Sequence, residues 1–174
     1  MAAFTHEQAL FFRGFALDAL RREQPVTQRV IEAIPSDKGD YRPDAIGKSA
    51  IDLAWHMVGA EHRFMDAVVS GAFDFANTGR PADLTGSAQV ARWYAGTFAD
   101  DVARVAALSA DQLVKIVDFR GLFQFPAVVY LQTAMIHSIH HRGQLSMYLR
   151  PMGAKVPSIY GESYDTAQAK AANA

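Results

Sequence analysis

Three histidines lie close together towards the C-terminal end of the chain: His137, His140 and His141. On a helix, residues four apart lie on nearly the same face, so His137 and His141 could direct their rings at one metal ion. His137 and His140 could pair instead, but adjacent positions diverge by about 100° around a helix, so one ion cannot easily take all three. No glutamate follows His137, which excludes the HExxH motif of zinc peptidases. The spacing therefore indicates an HxxxH metal platform.

Two ligands hold an ion loosely, so a third is expected from another part of the chain. His56 is the best candidate, because it lies in the apolar segment 54–58, where a buried neutral imidazole needs a partner. It is either a metal ligand or a core histidine satisfied by a hydrogen bond. His62 adjoins Glu61 and is predicted to be a surface residue or to support the site, and His6 is predicted to be exposed.

The composition indicates one globular domain over residues 1–174, half of it hydrophobic and a fifth of it charged. A net charge of −1 creates no field that would attract nucleic acid or an anionic membrane, so neither is an expected partner. The chain has no cysteine, which excludes disulfides, thiolate ligands and a cysteine nucleophile. No signal peptide or membrane-spanning run is recognisable. A cytoplasmic protein is therefore expected.

Four segments carry apolar residues at helical spacing and predict an all-α four-helix bundle: 5–35, 49–71, 87–108 and 126–150. Pro25 lies inside the first segment, which is predicted to be one long helix, kinked or straight. Residues 113–125 are rich in β-formers around Arg120 and Gly121 and favour a short hairpin before the last helix. Pro126 suits the first turn of that helix, and the tail after Pro151 is predicted to be loop-like and then frayed.

The segment 137–145, with the pattern HxxxHRGQL, resembles the DinB-like (DinB/YfiT) family of metal-dependent enzymes. Further segments carry the same resemblance, which covers most of the chain: 30–35, 54–56, 60–64, 148–150 and 153–161. The resemblance implies an up-and-down bundle of four helices in which His56, His137 and His141 form a metal triad. It also implies nickel or zinc as the occupant and a homodimer as the assembly.

Family members with assigned chemistry transfer low-molecular-weight thiols or use them as cofactors, as do bacillithiol transferases and mycothiol-dependent maleylpyruvate isomerase. The resemblance thus implies a thiol-dependent transferase acting on a small molecule. A metal-dependent hydrolase, or a non-catalytic dimeric binding module with a structural metal, are the alternatives. Three neutral imidazoles leave open positions on zinc or nickel, which water or a thiol could fill. Because the chain has no cysteine, a thiol nucleophile would have to be a cosubstrate.

Two further residues are candidates for catalytic roles. Gln144 follows His141 by three residues and can form a hydrogen bond near the site or towards a neighbouring helix. Tyr160 lies in the segment after the last helix and could cover the metal as a lid or proton donor, or simply pack. Arg142 is predicted to pair with a carboxylate, such as that of Glu61 or Asp52, and His140 to support the site rather than to be a fourth ligand.

Overall fold

The fold, described for residues 4–173 by a computed structural model, consists of four long helices, two short helices and one hairpin. The predicted all-α four-helix bundle with a short hairpin before the last long helix is confirmed. In chain order the elements are α1 (His6–Glu32), α2 (Ala50–Ser70), α3 (Ser87–Ala106), α4 (Ala110–Val114), β1 (Ile116–Phe119), β2 (Phe123–Pro126), α5 (Val129–Leu149) and α6 (Tyr164–Ala171).

The helix termini follow local signals in the sequence. The Thr5 hydroxyl accepts from the backbone N–H of Gln8 at 3.2 Å, and the Gln8 side chain accepts from the backbone N–H of Thr5 at 2.9 Å. This capping box satisfies amides that would otherwise have no partner at the start of α1. Ser49 caps α2, which ends at Gly71 in the left-handed conformation (φ 79°). The first helix continues through Pro25 as a single element.

The four long helices form a square in which α1 and α2 each pack against α3 and α5. Two contacts show that α2 and α3 run in the same direction. Near the start of both helices, the rings of Trp55 and Trp93 lie 4.7 Å apart. Near their ends, Arg104 pairs with Asp66 at 2.6 Å. The long connection 71–86 returns the chain along the bundle, so the directions are up, down, down, up for α1, α2, α3 and α5. The parallel pair of α2 and α3 departs from the strict up-and-down order that the resemblance implied.

The local prediction for the start of α5 is wrong. Pro126 is the last residue of β2, where it lies opposite Ile116 of β1, and the helix begins at Val129. Pairing with a neighbouring strand thus extends the hairpin over a residue that suits a helix start equally well. Proline is acceptable there because a residue at a strand end need not donate to the ladder.

Two short helices were not predicted from the sequence. Ser109 and Gln112 form a capping box for α4. The helix α6 lies in the predicted frayed tail, where the Ser163 hydroxyl accepts from the backbone N–H of Thr166 at 3.1 Å. An ion pair of 3.0 Å joins Asp165 of α6 to Arg150, so a long-range contact orders a segment with little apolar character. Within residues 4–173, no helix is long and apolar enough to cross a membrane.

Candidate metal centre

The antiparallel helices α2 and α5 bring His56, His137 and His141 together. Each ring offers a nitrogen, and the three nitrogens all lie within 4.8 Å of one another. The ring centroids are 5.0 Å apart for His56 and His137, 4.6 Å for His56 and His141, and 4.4 Å for His137 and His141. One ion placed between the rings could therefore be bound by both helices. Among the described residues, no other group of three potential ligands meets this criterion.

Burial favours the neutral form of all three imidazoles, which is the form that binds metal ions. Burial lowers the pKa of His56 to about 4, and the charges of His141, Lys48 and Arg63 act in the same direction. Burial likewise lowers the pKa of His137 to about 3, with the neighbouring histidines adding to the effect. The pKa of His141 is also lowered by burial, although its hydrogen bond to Gln144 opposes the shift.

Two further observations fit a bound metal ion. The Nδ1 atom of His137 is buried and has no hydrogen-bond partner in residues 4–173. A buried polar atom without a partner is unusual and calls for an explanation such as a bound ion. The Nδ1 atom of His141 lies 2.9 Å from Oε1 of Gln144. Because an amide oxygen only accepts, this bond places the proton on Nδ1 and leaves the Nε2 lone pair of His141 free. Nitrogen donors of this kind suit both nickel and zinc.

The other candidate residues lie around this group. Gln144 contacts His141 directly, as described above. His140 is exposed, with its ring 4.7 Å from that of His141. Tyr160 is 69% exposed, and its hydroxyl bonds to Arg142 at 2.6 Å and to Glu23 at 3.0 Å. Tyr160 is therefore anchored to the α1 side of α5, and its catalytic role stays a prediction.

The predicted partners of Arg142 are wrong. Its guanidinium is 1% exposed and pairs with the Glu23 carboxylate of α1 at 2.6 Å, not with Glu61 or Asp52. It also donates to the Thr27 hydroxyl at 3.2 Å. Arg142 follows His141 on the helix, so its side chain points about 100° away from the histidine face and towards α1.

A buried hydrogen-bond network that the sequence analysis did not identify supports the site from behind. The Tyr94 hydroxyl of α3 donates to Glu61 of α2 at 2.8 Å, and the Ser138 hydroxyl of α5 donates to the other oxygen of the same carboxylate. Ser138 directly follows His137, so the network fixes the backbone next to a candidate ligand. Burial raises the pKa of Glu61 to about 7. An acidic residue within the apolar face of α2 was the signal that could have revealed it.

A cavity of about 710 Å³ opens beside the histidines and is lined by His56 and His137. Its walls come from α2, α5, the hairpin and the connections before and after α2. Arg63 also lines it, seven residues after His56 and hence on the same face of α2. That spacing is the sequence signal by which Arg63 could have been found. The cavity is large enough for a small organic molecule.

Comparison with known proteins agrees with this fold. The profile of the DinB family matches residues 16–172, so the chain belongs to the DinB family. A curated relative is the uncharacterized protein YjoA of Bacillus subtilis (strain 168), 31% identical over 131 residues, which span 74% of this chain and 82% of YjoA.

Two crystal structures show the same fold. The DinB-like protein YjoA from Bacillus subtilis superposes with a TM-score of 0.70 and 27% identity, over 84% of this chain and 99% of that one. A DinB-like protein from Bacillus cereus ATCC 10987 superposes with a TM-score of 0.70 and 23% identity, over 83% of this chain and 95% of that one. Family and histidine group together are compatible with a metal-binding protein.

Proposed function

We propose that the chain is a metal-dependent enzyme that transfers a low-molecular-weight thiol to a small electrophile. In this proposal one nickel or zinc ion is held by His56, His137 and His141. The observation that carries the proposal is three imidazole nitrogens within 4.8 Å of one another, beside a cavity of about 710 Å³. When bound, the ion would supply an electrophilic centre that makes a thiol or water more acidic.

The residues of the chain have separate tasks in this proposal. The three imidazoles bind the metal ion, and Gln144 fixes the tautomer of His141. Phe64 packs near His137, with ring centroids 6.0 Å apart, and gives one side of the site an apolar surface. In the reaction, the thiol loses its proton to solvent, its sulfur bonds to the electrophilic carbon, and the leaving group departs with its electron pair.

Metal analysis of the purified chain, followed by a thiol-consumption assay with an electrophilic acceptor, tests the proposal. We expect about one nickel or zinc ion per chain and thiol loss that His137→Ala abolishes. His140→Ala is the matched control, because His140 lies on the same helix but is exposed. A chain that binds no metal, and whose triple alanine variant folds identically, would refute the proposal. Metal binding without any turnover would support the non-catalytic binding module instead.

We also propose that the chain is a homodimer. Light scattering would then give twice the chain mass of 19.1 kDa. A mass equal to that of one chain at micromolar concentration would contradict this assembly.

A further inference from the structure

The cavity beside the histidines is strongly cationic, although the whole chain carries a net charge of −1. A single carboxylate, that of Asp52, lines it. The cations that line it are Arg42, Lys48, Arg63, Arg80 and Arg120. The excess of positive charge is therefore local to the cavity.

Two of the cations, Arg42 and Arg80, share the single carboxylate of Asp52. Arg80 Nε lies 3.1 Å from Asp52 Oδ1, and Arg42 Nη2 lies 3.8 Å from Asp52 Oδ2. Each arginine also donates to a backbone carbonyl: Arg42 to that of Gly47 at 2.6 Å, and Arg80 to that of Leu84 at 2.5 Å. These contacts give both guanidinium groups a structural role at the cavity edge.

The side chains of the other three cations, Lys48, Arg63 and Arg120, make no hydrogen bond or ion pair with any residue between 4 and 173. Arg63 is half-buried, and burial lowers the pKa of its guanidinium. A partly desolvated cation without a direct ion-pair partner costs folding free energy, so a functional reason for it is expected. The Arg120 guanidinium lies 4.6 Å from the centroid of the Phe75 ring, which orients it without neutralising it.

An aromatic wall stands next to these cations. Phe64 and Phe119 are stacked with centroids 5.8 Å apart, and Phe73 meets Phe119 edge to face at 4.9 Å. All three rings line the cavity. The wall reaches the metal centre through the contact of Phe64 with His137. A ligand in this cavity would thus meet an apolar surface, a positive charge and the three histidines at once.

We propose that the cavity selects a small organic anion, whose anionic group binds Arg63 while its apolar body packs against Phe64, Phe73 and Phe119. Lys48 and Arg120 add positive potential that attracts the anion. The planar guanidinium of Arg63 can bind a carboxylate through two parallel hydrogen bonds. Because Arg63 lies two helical turns from His56, about 10 Å along the axis, the rest of such a molecule could reach the histidines. The inference rests on the proposed function, since it names the substrate class of the same site.

The carboxylate of Asp74 competes with an anionic ligand for the positive charge of Arg63. The charge of Asp74 acts on Arg63, although the two side chains form neither a hydrogen bond nor an ion pair. Asp74 is exposed. Its negative charge should weaken the binding of an anion at Arg63. Removing that charge should therefore strengthen anion binding, whereas removing the charge of Arg63 should weaken it.

The test compares 3-phenylpropionate with its neutral isostere 3-phenylpropanamide, by titration calorimetry on the full chain, with and without zinc. We expect the acid to bind about tenfold or more tightly than the amide, even without metal. Arg63→Gln should remove this preference and leave the affinity for the amide unchanged. Arg63→Lys should retain part of the preference, and Asp74→Asn should increase the affinity for the acid.

Arg92→Gln is the matched control, because Arg92 is exposed on α3 and does not line the cavity. It should change neither affinity by more than about twofold. Equal affinity for acid and amide, no binding of the acid at millimolar concentration, or equal effects of Arg63→Gln and Arg92→Gln would overturn the proposal. Acid selectivity in a chain that binds no metal and consumes no thiol would refute the proposed enzyme while leaving the anion site standing.

Discussion

The Nδ1 atom of His141 and the Oε1 atom of Gln144 lie 2.9 Å apart, one helical turn from each other on α5. The hydrogen bond holds the ring so that Nε2 carries the lone pair, which is the arrangement of a metal-ligating imidazole with an outer partner. Both residues belong to the same helix, so this hydrogen bond does not depend on the packing of other helices.

Replacing Gln144 should therefore weaken metal binding without removing a ligand. We expect Gln144→Ala to lower zinc affinity about 10-fold to 100-fold, measured by competition with a chromophoric chelator. Gln132→Ala, at another exposed position of α5, is the control and should leave affinity unchanged. Equal affinities for the two variants would show that the hydrogen bond does not orient the ligand.

Zinc should stabilise the folded chain only when the histidine group is intact. At a zinc concentration one hundred times Kd, the gain is about 2.7 kcal/mol, or roughly 5–10 °C in Tm for a domain of this size. His137→Ala should abolish the shift in a thermal melt, whereas His140→Ala should preserve it. Loss of the shift in His140→Ala would make that residue a ligand.

The buried carboxyl of Glu61 should make stability depend on pH. Burial raises its pKa from 4.5 to about 7, so between these values the folded state binds more protons than the unfolded state. The free energy of unfolding contributed by this group therefore falls as pH rises from 4.5 through 7. In urea titrations, Glu61→Gln should gain up to about 3 kcal/mol relative to the parent chain between pH 5 and pH 8. A difference independent of pH would contradict a raised pKa.

The buried Arg142 should contribute more to stability than an exposed arginine in an ion pair. Arg142→Ala leaves the Glu23 carboxylate and the Thr27 hydroxyl without their partner and should cost about 3 kcal/mol or more. Arg150→Ala is the matched control: its side chain is 53% exposed and pairs with Asp165, so a loss of about 1 kcal/mol or less is expected. Urea unfolding measures both losses. Equal losses for the two variants would show that the buried ion pair contributes no more to stability than the exposed one.

The hydroxyl of Tyr160 should matter for the attachment of the C-terminal segment more than for the metal centre. Tyr160→Phe removes hydrogen bonds to Arg142 and Glu23 and should cost about 1 kcal/mol, with zinc affinity unchanged. Tyr164→Phe, at a position 68% exposed, should cost almost nothing. If thiol consumption fell in Tyr160→Phe at unchanged stability, the predicted role as a lid or proton donor would be supported.

Features that depend on neighbouring residues could be predicted from the sequence. The capping box of Thr5 and Gln8 and the cap at Ser49 fix helix starts because their hydrogen bonds span only three residues. The convergence of His137 and His141 follows from helical geometry alone. Pro126 was assigned incorrectly because a proline suits both a helix start and a strand end. Pairing across the hairpin decided between the two.

The sequence by itself thus determined the four long helices, the hairpin and the HxxxH pair, since each is set by contacts within a few residues. Only the tertiary structure decided that His56 reaches that pair, that Arg142 pairs with Glu23, and that Arg63 forms no ion pair among the described residues. The physical reason is that side chains on different helices meet according to helix direction and packing. Those depend on how the whole set of apolar faces is buried together, and no single segment carries that information.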